Sequence, residues 1–189
     1  MSIKNKVCIR QETLKKRREM PPEEVILKST AAQKAFLESD LYKAARQIMV
    51  YMPLGNETDT KMIIKQAFTD GKKLVFPVTG RETGEITPCI ADEKTRFVKG
   101  NFSVYEPEMP VPADMQDTDI VLVPGVAFDK KGARVGFGKG CYDRLLKKYN
   151  VTKAGFCYEH QVWEKIEAEP HDIKMDYIIT EKGIFKCRN

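Results

Sequence analysis

DIVLVPGVAFDKKGARVGFGKGCYDRLLKKY, residues 119–149, runs from an apolar segment through a glycine-laden loop into a helix-forming segment. DIVLVPG (119–125) is continuously apolar from Ile120 to Val123 and stops at Pro124-Gly125, as a strand buried on both faces would. The expected helix runs from Tyr142 to Tyr149. In an open parallel sheet, ligands collect beyond the carboxyl ends of the strands, which is where this loop falls. Gly136, Gly138 and Gly140 let the backbone take positive φ and bring its N–H groups close to an anion. The partial positive charge at the start of the following helix adds to the same site. Two familiar nucleotide loops do not fit. Gly138-Lys139 is followed by Gly140, so the hydroxyl that a Walker loop uses on magnesium is missing. Gly136-Phe-Gly138-Lys-Gly140 lacks the spacing of a dinucleotide fingerprint and comes late in the chain.

Outward from this stretch, strand-like and helix-like segments alternate. Helices are expected at 4–19 and from Pro22 to about Leu37 or Ser39, the second opened by Pro22, Glu23 and Glu24. IMVYM (48–52) and LVFPV (74–78) read as buried strands, separated by a helix over TKMIIKQAFTDGKK. Residues 79–119 read as excursions with edge strands at 86–90, 97 and 104. A strand at 154–158, a short helix around 162–164 and a last strand at 176–180 follow the loop. The alternation predicts a single α/β domain over 1–189, with a mostly parallel sheet flanked by helices.

The 189 residues suffice for one buried core, and no apolar run approaches the ~18 residues of a membrane span. The first twenty residues lack the apolar stretch of a secretory signal, and the five cysteines form no C-x-x-C pair. Free thiols in a reducing cytoplasm are the expectation. Residues 1–20 hold seven basic and two acidic residues, so the formal charge of +5 resides there. This segment is read either as a solvated helix face or as cations offered to an anionic ligand. Nucleic acid is not expected, because no aromatic stacking pattern or RNA-binding signature accompanies the charge.

PGVAFDKKGARVGFGKGCYDR (124–144) resembles the signature of the 5-formyltetrahydrofolate cyclo-ligase family, the 5,10-methenyltetrahydrofolate synthetases. The resemblance extends through Lys6-x-x-x-Arg10, VYMPLGNETDT (50–60), YEP (105–107) and HDIKMDYIIT (171–180), in order along the chain. It implies an architecture related to the sugar-phosphate isomerases and CoA-transferases. It also implies a reaction in which ATP, with Mg²⁺, phosphorylates the formyl oxygen of 5-formyltetrahydrofolate and the folate's N10 closes the ring. Such chemistry rests on positioning and charge neutralisation, which suits a chain whose two histidines, His160 and His171, sit in no catalytic or metal-ligand pattern.

The resemblance assigns ATP to Lys6, Arg10 and the run Arg134, Val135, Gly136, Phe137, Gly138, Lys139, Gly140, Cys141 and Tyr142, with Arg134 and Lys139 at the transferred phosphoryl group. It assigns the folate to Met52, Glu57 and residues 137–141, and Mg²⁺ to Asp143 and Asp176. Glu57 would accept from the pterin's N–H edge. Cys141 departs from the family, which commonly has an aromatic residue there. The basic first helix would also attract a polyglutamate tail, and a monomer or weak dimer is expected. Two other readings stay open on the sequence: a sugar-phosphate isomerase, which would need a general base and no ATP, and a non-catalytic nucleotide- or RNA-binding protein on the same domain.

Overall fold

In the computed structural model, residues 5–188 are described, so Lys4, the expected start of the first helix, lies outside the described residues. Helix α1 (Lys6–Glu19) begins where the Asn5 side chain accepts from the Cys8 N–H, and it ends on three basic residues that suit its negative pole. Pro21 breaks the chain, and α2 (Pro22–Leu37) starts with the proline and carboxylates that favour a first turn. A short α3 (Asp40–Ala44), capped by Ser39, was not expected and leads into β1 (Gln47–Met49). Then follow α4 (Lys61–Thr69), β2 (Lys73–Thr79), β3 (Ile86–Ala91), β4 (Phe97–Lys99), β5 (Tyr105–Pro107), β6 (Val111–Pro112) and β7 (Ile120–Val123). The last third holds β8 (Ala127–Asp129), β9 (Arg134–Val135), α5 (Cys141–Leu146), β10 (Thr152–Phe156), β11 (Val162–Trp163), β12 (Tyr177–Thr180) and β13 (Gly183–Lys186).

The main sheet has eight strands in the order β13-β12-β10-β7-β1-β2-β3-β6. Its centre, β12-β10-β7-β1-β2, is parallel throughout, and antiparallel strands close both edges. Side chains alternate between the two faces. Ile48, Leu74, Phe76, Leu122 and Ile179 point to the face covered by α2 and α4, whereas Met49, Val75, Val121, Val123 and Ile178 meet Leu145 and Leu146 of α5. Taken in chain order, the parallel strands lie as 2-1-3-4-5, so the winding direction reverses between β1 and β7. A crevice must open at the carboxyl ends of those two strands, because their connections leave in opposite directions.

Several segments differ from the expectations. The loop after β7 first folds into the β8–β9 hairpin, and the buried Asp129 carboxylate organises it by accepting from the N–H groups of Lys131, Ala133 and Ile166. The short helix expected at 162–164 is instead strand β11, paired parallel with β8, and the helical turn precedes it at 159–161. β-Branched Val162 and aromatic Trp163 suit a strand. The final strand is followed by a further antiparallel one, β13. A third layer forms where Ile9 of α1 packs with Ala127, Ala133 and Val135 of this hairpin. No described helix is long and apolar enough to cross a membrane.

Phe128 ties the small sheet to the large one, because its ring fills the space left by two glycines. A Cβ on Gly155 would lie 2.5 Å from the Phe128 ring and 2.9 Å from Ile178, and one on Gly125 would lie 2.5 Å from the same ring. Gly155→Ala is therefore expected to cost about 1–3 kcal/mol through overpacking. Urea denaturation should show a lower midpoint with an unchanged slope.

Candidate active site

An open cleft of ≈ 920 Å³ lies at the strand-order reversal. Tyr51 and Met52 after β1, Pro77 and Thr79 at the end of β2, and Pro124 after β7 form its floor. The glycine loop between β9 and α5 forms one wall. Gly138 at φ +97° and Gly140 at φ +63° occupy backbone conformations that a side chain disfavours, so the bend into α5 requires them. Helix α1 crosses this wall, and Arg10 Nε donates to the Gly136 carbonyl at 2.8 Å, which pins the helix to the loop.

Positive charge converges from Lys6 and Arg10 on α1, Arg134 on β9 and Lys139 in the loop, with Arg144 on α5 and Lys147 just after it also lining the cleft. Arg134 is deeply buried, its side chain only 6% exposed; it donates to Asp143 at 2.7 Å and to the Pro124 carbonyl at 3.3 Å. Its Nε is buried without a hydrogen-bond partner. Such a donor is costly to leave unmatched, which marks a place where an acceptor would be favourable. Lys139 sits 3.4 Å from the centroid of the Phe102 ring. Phe102 and Ser103 have φ values of 55° and 63°, so the tip between β4 and β5 holds backbone strain at the rim of the cleft.

Negative charge faces these cations. Lys6 Nζ lies 2.5 Å from Asp172 and 3.1 Å from Glu169. Burial acts to raise the Asp172 pKa, but the bonds from Lys6 and the Glu169 N–H hold its carboxyl below the usual range. Asp143 accepts from the Ile173 N–H at 3.4 Å, so Asp143 and the Asp172 segment are neighbours. Among the described residues, one group of metal-capable side chains clusters, Glu169, His171 and Asp172, with ligand atoms within 4.8 Å of one another. Carboxylate oxygens there and at Asp143 are the hard donors that Mg²⁺ prefers.

The opposite end of the cleft is apolar and holds one buried carboxylate, Glu57. Desolvation raises its pKa, against the opposing effects of the Leu54 N–H, which donates to Oε2 at 2.9 Å, and of the Arg17 guanidinium. Tyr51 and Tyr142 flank it, and burial pushes both hydroxyls up.

The cleft thus gathers Lys6, Arg10, Met52, Glu57, Arg134 to Tyr142 and Asp143, which are far apart in the chain. Asp176, expected beside Mg²⁺, is the exception and does not line the cleft. It immediately precedes β12, and its carboxylate accepts from Lys153 N–H at 2.7 Å and lies 3.1 Å from Lys153 Nζ. In a parallel strand the first residue lies at the edge opposite the carboxyl ends, so Asp176 is turned away from the cleft. Asp172, four residues earlier in the same HDIKMD segment, lines the cleft instead. The signal was available: a residue joined directly to the start of a parallel strand belongs to the wrong edge. Phe102, Glu169 and Arg144 also line the cleft without having been expected.

A family model described as the 5-formyltetrahydrofolate cyclo-ligase family matches residues 2–181. A 5-formyltetrahydrofolate cyclo-ligase of Mycolicibacterium smegmatis is 31% identical over the full length of both chains, and one of Mus musculus is 25% identical over 92% of each. The solution structure of the Aquifex aeolicus 5,10-methenyltetrahydrofolate synthetase superposes with a TM-score of 0.85 at 32% identity, covering 97% of this chain and 93% of that one.

Removing Arg134 would leave the Asp143 carboxylate without its cationic partner. Arg134→Ala is expected to lower the stability of the ligand-free protein by about 2–4 kcal/mol, read from denaturant unfolding.

Proposed function

The chain belongs to the 5-formyltetrahydrofolate cyclo-ligase family, a family of ligases, and from that premise we propose that it uses ATP to convert 5-formyltetrahydrofolate to 5,10-methenyltetrahydrofolate. The observation that carries this reading is the polarity of one cleft, with Lys6, Arg10, Arg134, Lys139 and a glycine loop at one end and an apolar pocket holding a single carboxylate at the other. The cationic end suits a triphosphate. The pocket suits a pterin, whose N–H edge would donate to Glu57 while Tyr51, Met52, Phe137 and Cys141 contact the ring and its substituents.

Arg134, Lys139 and the loop N–H groups hold the γ-phosphoryl group of ATP against the formyl oxygen. That oxygen attacks phosphorus, the bond to the bridging oxygen breaks, and ADP departs, leaving an N5-iminium phosphate. N10 then adds to the former formyl carbon and loses its proton. The carbon–oxygen bond breaks with its electron pair going to phosphate, a far better leaving group than the formyl oxygen alone. No protein nucleophile is needed, so catalysis lies in alignment and charge stabilisation.

Without ligand, the cations are held by the site's own carboxylates, Arg134 by Asp143 and Lys6 by Asp172 and Glu169. Incoming phosphates would take over the cations and release the carboxylates. Asp143 and Asp172 are the side chains that would hold Mg²⁺, which would supply charge neutralisation to the phosphates. A polyglutamate tail on the folate would meet positive charge along α1, where Lys15, Lys16 and Arg18 are exposed. A reducing compartment such as the cytoplasm suits the free cysteines, although a plant relative is named as mitochondrial.

Methenyl product, followed by its near-ultraviolet absorbance, is expected to form only when ATP and Mg²⁺ are both present. Lys139→Ala should reduce kcat by about 10²–10³-fold, the usual cost of one oxyanion-type donor. A variant with undiminished turnover would remove the loop from the chemistry. Asp172→Asn is expected to raise the Mg²⁺ concentration needed for half-maximal rate, whereas Asp176→Asn should leave that requirement unchanged.

A further inference from the structure

Within the basic run of α1, one side chain behaves unlike its neighbours. Lys15, Lys16 and Arg18 are exposed, while Arg17 is buried at 7% exposure. It continues the inward stripe Ile9, Thr13, Arg17, each four residues from the last and each on the face packed against the protein. The Thr13 hydroxyl on this stripe accepts from Trp163 Nε1 at 3.0 Å, and the Arg17 carbonyl accepts from Asn56 Nδ2 at 3.1 Å, so the helix is fixed at the residue and one turn before it.

A guanidinium is rarely buried without an anionic partner. Here the partner is Glu57, whose Oε1 lies 3.8 Å from Arg17 Nη1. This spacing is close enough for strong attraction inside the protein and too long for a hydrogen bond. The second oxygen, Oε2, is already used by the Leu54 N–H. The Glu57 charge is therefore balanced by Arg17 while Oε1 keeps its accepting capacity. On its other side the Arg17 guanidinium lies 5.7 Å from the centroid of the Phe137 ring, which belongs to the glycine loop and is half exposed.

We propose that Arg17 is a positioning residue of the folate subsite: it keeps Glu57 an ionised acceptor without occupying the oxygen that meets the pterin, and it seats Phe137 beside that acceptor. The inference rests on the reading of Glu57 as the pterin's partner. The groups facing Glu57 are Arg17 from α1, Tyr51 after β1, Tyr142 from α5 and Tyr158 after β10, whose hydroxyl donates to the Glu57 carbonyl at 3.3 Å, together with the Leu54 N–H of its own loop. All three tyrosines are pushed towards the neutral form by burial, so Arg17 is the cation of this set. Burial already raises the Glu57 pKa, and losing Arg17 would raise it further. Because the ionised form binds, folate affinity is lost as pH falls through that pKa, and the variant loses it at a higher pH.

The test titrates 5-formyltetrahydrofolate, and separately a non-hydrolysable ATP analogue, into wild-type protein, Arg17→Met, Arg17→Lys and Glu57→Gln across the pH range of stability. Arg17→Met is expected to weaken folate binding about tenfold or more at neutral pH and to move the midpoint of its pH dependence upward by about one unit or more. Binding of the ATP analogue should be unaffected, and Arg17→Lys, which retains the charge, should recover most of the midpoint. If Arg17→Met weakens folate binding equally at every pH, or weakens the ATP analogue to the same degree, Arg17 serves only to pack the helix and the inference fails. If Arg17→Met does not fold, Arg17→Lys carries the test: its midpoint is expected to stay close to that of the wild type, and a midpoint raised by about one unit or more although the charge is retained overturns the inference. If Glu57→Gln binds folate as the wild type does, the reading of Glu57 has failed, an outcome distinct from an Arg17 variant alone behaving like wild type.

Discussion

The reversal of winding between β1 and β7 is the constraint on which the site depends. Two adjacent parallel strands that send their chains to opposite faces cannot close the space beyond their carboxyl ends, and the gap persists whatever residues surround it. The protein builds every wall of its cleft around that gap. Tyr51 and Met52 come directly from β1, Pro124 from β7, and the glycine loop follows after the β8–β9 hairpin. Helix α1 lies across the loop and is held there by the Arg10–Gly136 bond and by Ile9 in the small third cluster. A segment from the beginning of the chain thus becomes a wall of a site formed mainly from the second half.

Charge is arranged in the cleft by mutual satisfaction. Arg134, Lys6 and Arg17 each have carboxylate partners, Asp143, the Asp172–Glu169 pair and Glu57 respectively. Burying an ion alone is prohibitive, so a site that must present several cations to an anion has to keep them paired until that anion arrives. The pairs differ in geometry. Arg134–Asp143 is a close hydrogen-bonded contact that an arriving phosphate would have to rearrange, whereas Arg17–Glu57 stays beyond hydrogen-bond distance and leaves its carboxylate oxygen accessible. The same physical device therefore gives an exchangeable pair at one end of the cleft and a fixed one at the other.

Rigidity follows the same division. The core strands are sealed on both faces, and Phe128 locks the hairpin to them through the space above Gly125 and Gly155. The rim is less relaxed: Phe102 and Ser103 hold left-handed backbone beside Lys139, and the loop itself turns on Gly138 and Gly140.

Much of this was written locally. Continuous apolar runs such as Ile120–Val123, helix starts such as Pro22-Glu23-Glu24, and glycines at alternate positions from 136 to 140 are short-range patterns, and each formed the element expected of it. The α/β class and most of the cleft residues could be read from them. What could not be read depended on direction and facing. Asp172 and Asp176 belong to one short segment, yet only the direction of β12 decides which of them reaches the cleft. The strand at Val162–Trp163 exists because β8 offers it an edge. Arg17 looked like one more surface cation until helix packing turned it inward onto Glu57. The sequence by itself determined where most of the chain folds into strand, helix and loop, because those preferences act over a few residues. Only the tertiary structure decided which charges meet, because burial and pairing depend on what lies across the cleft.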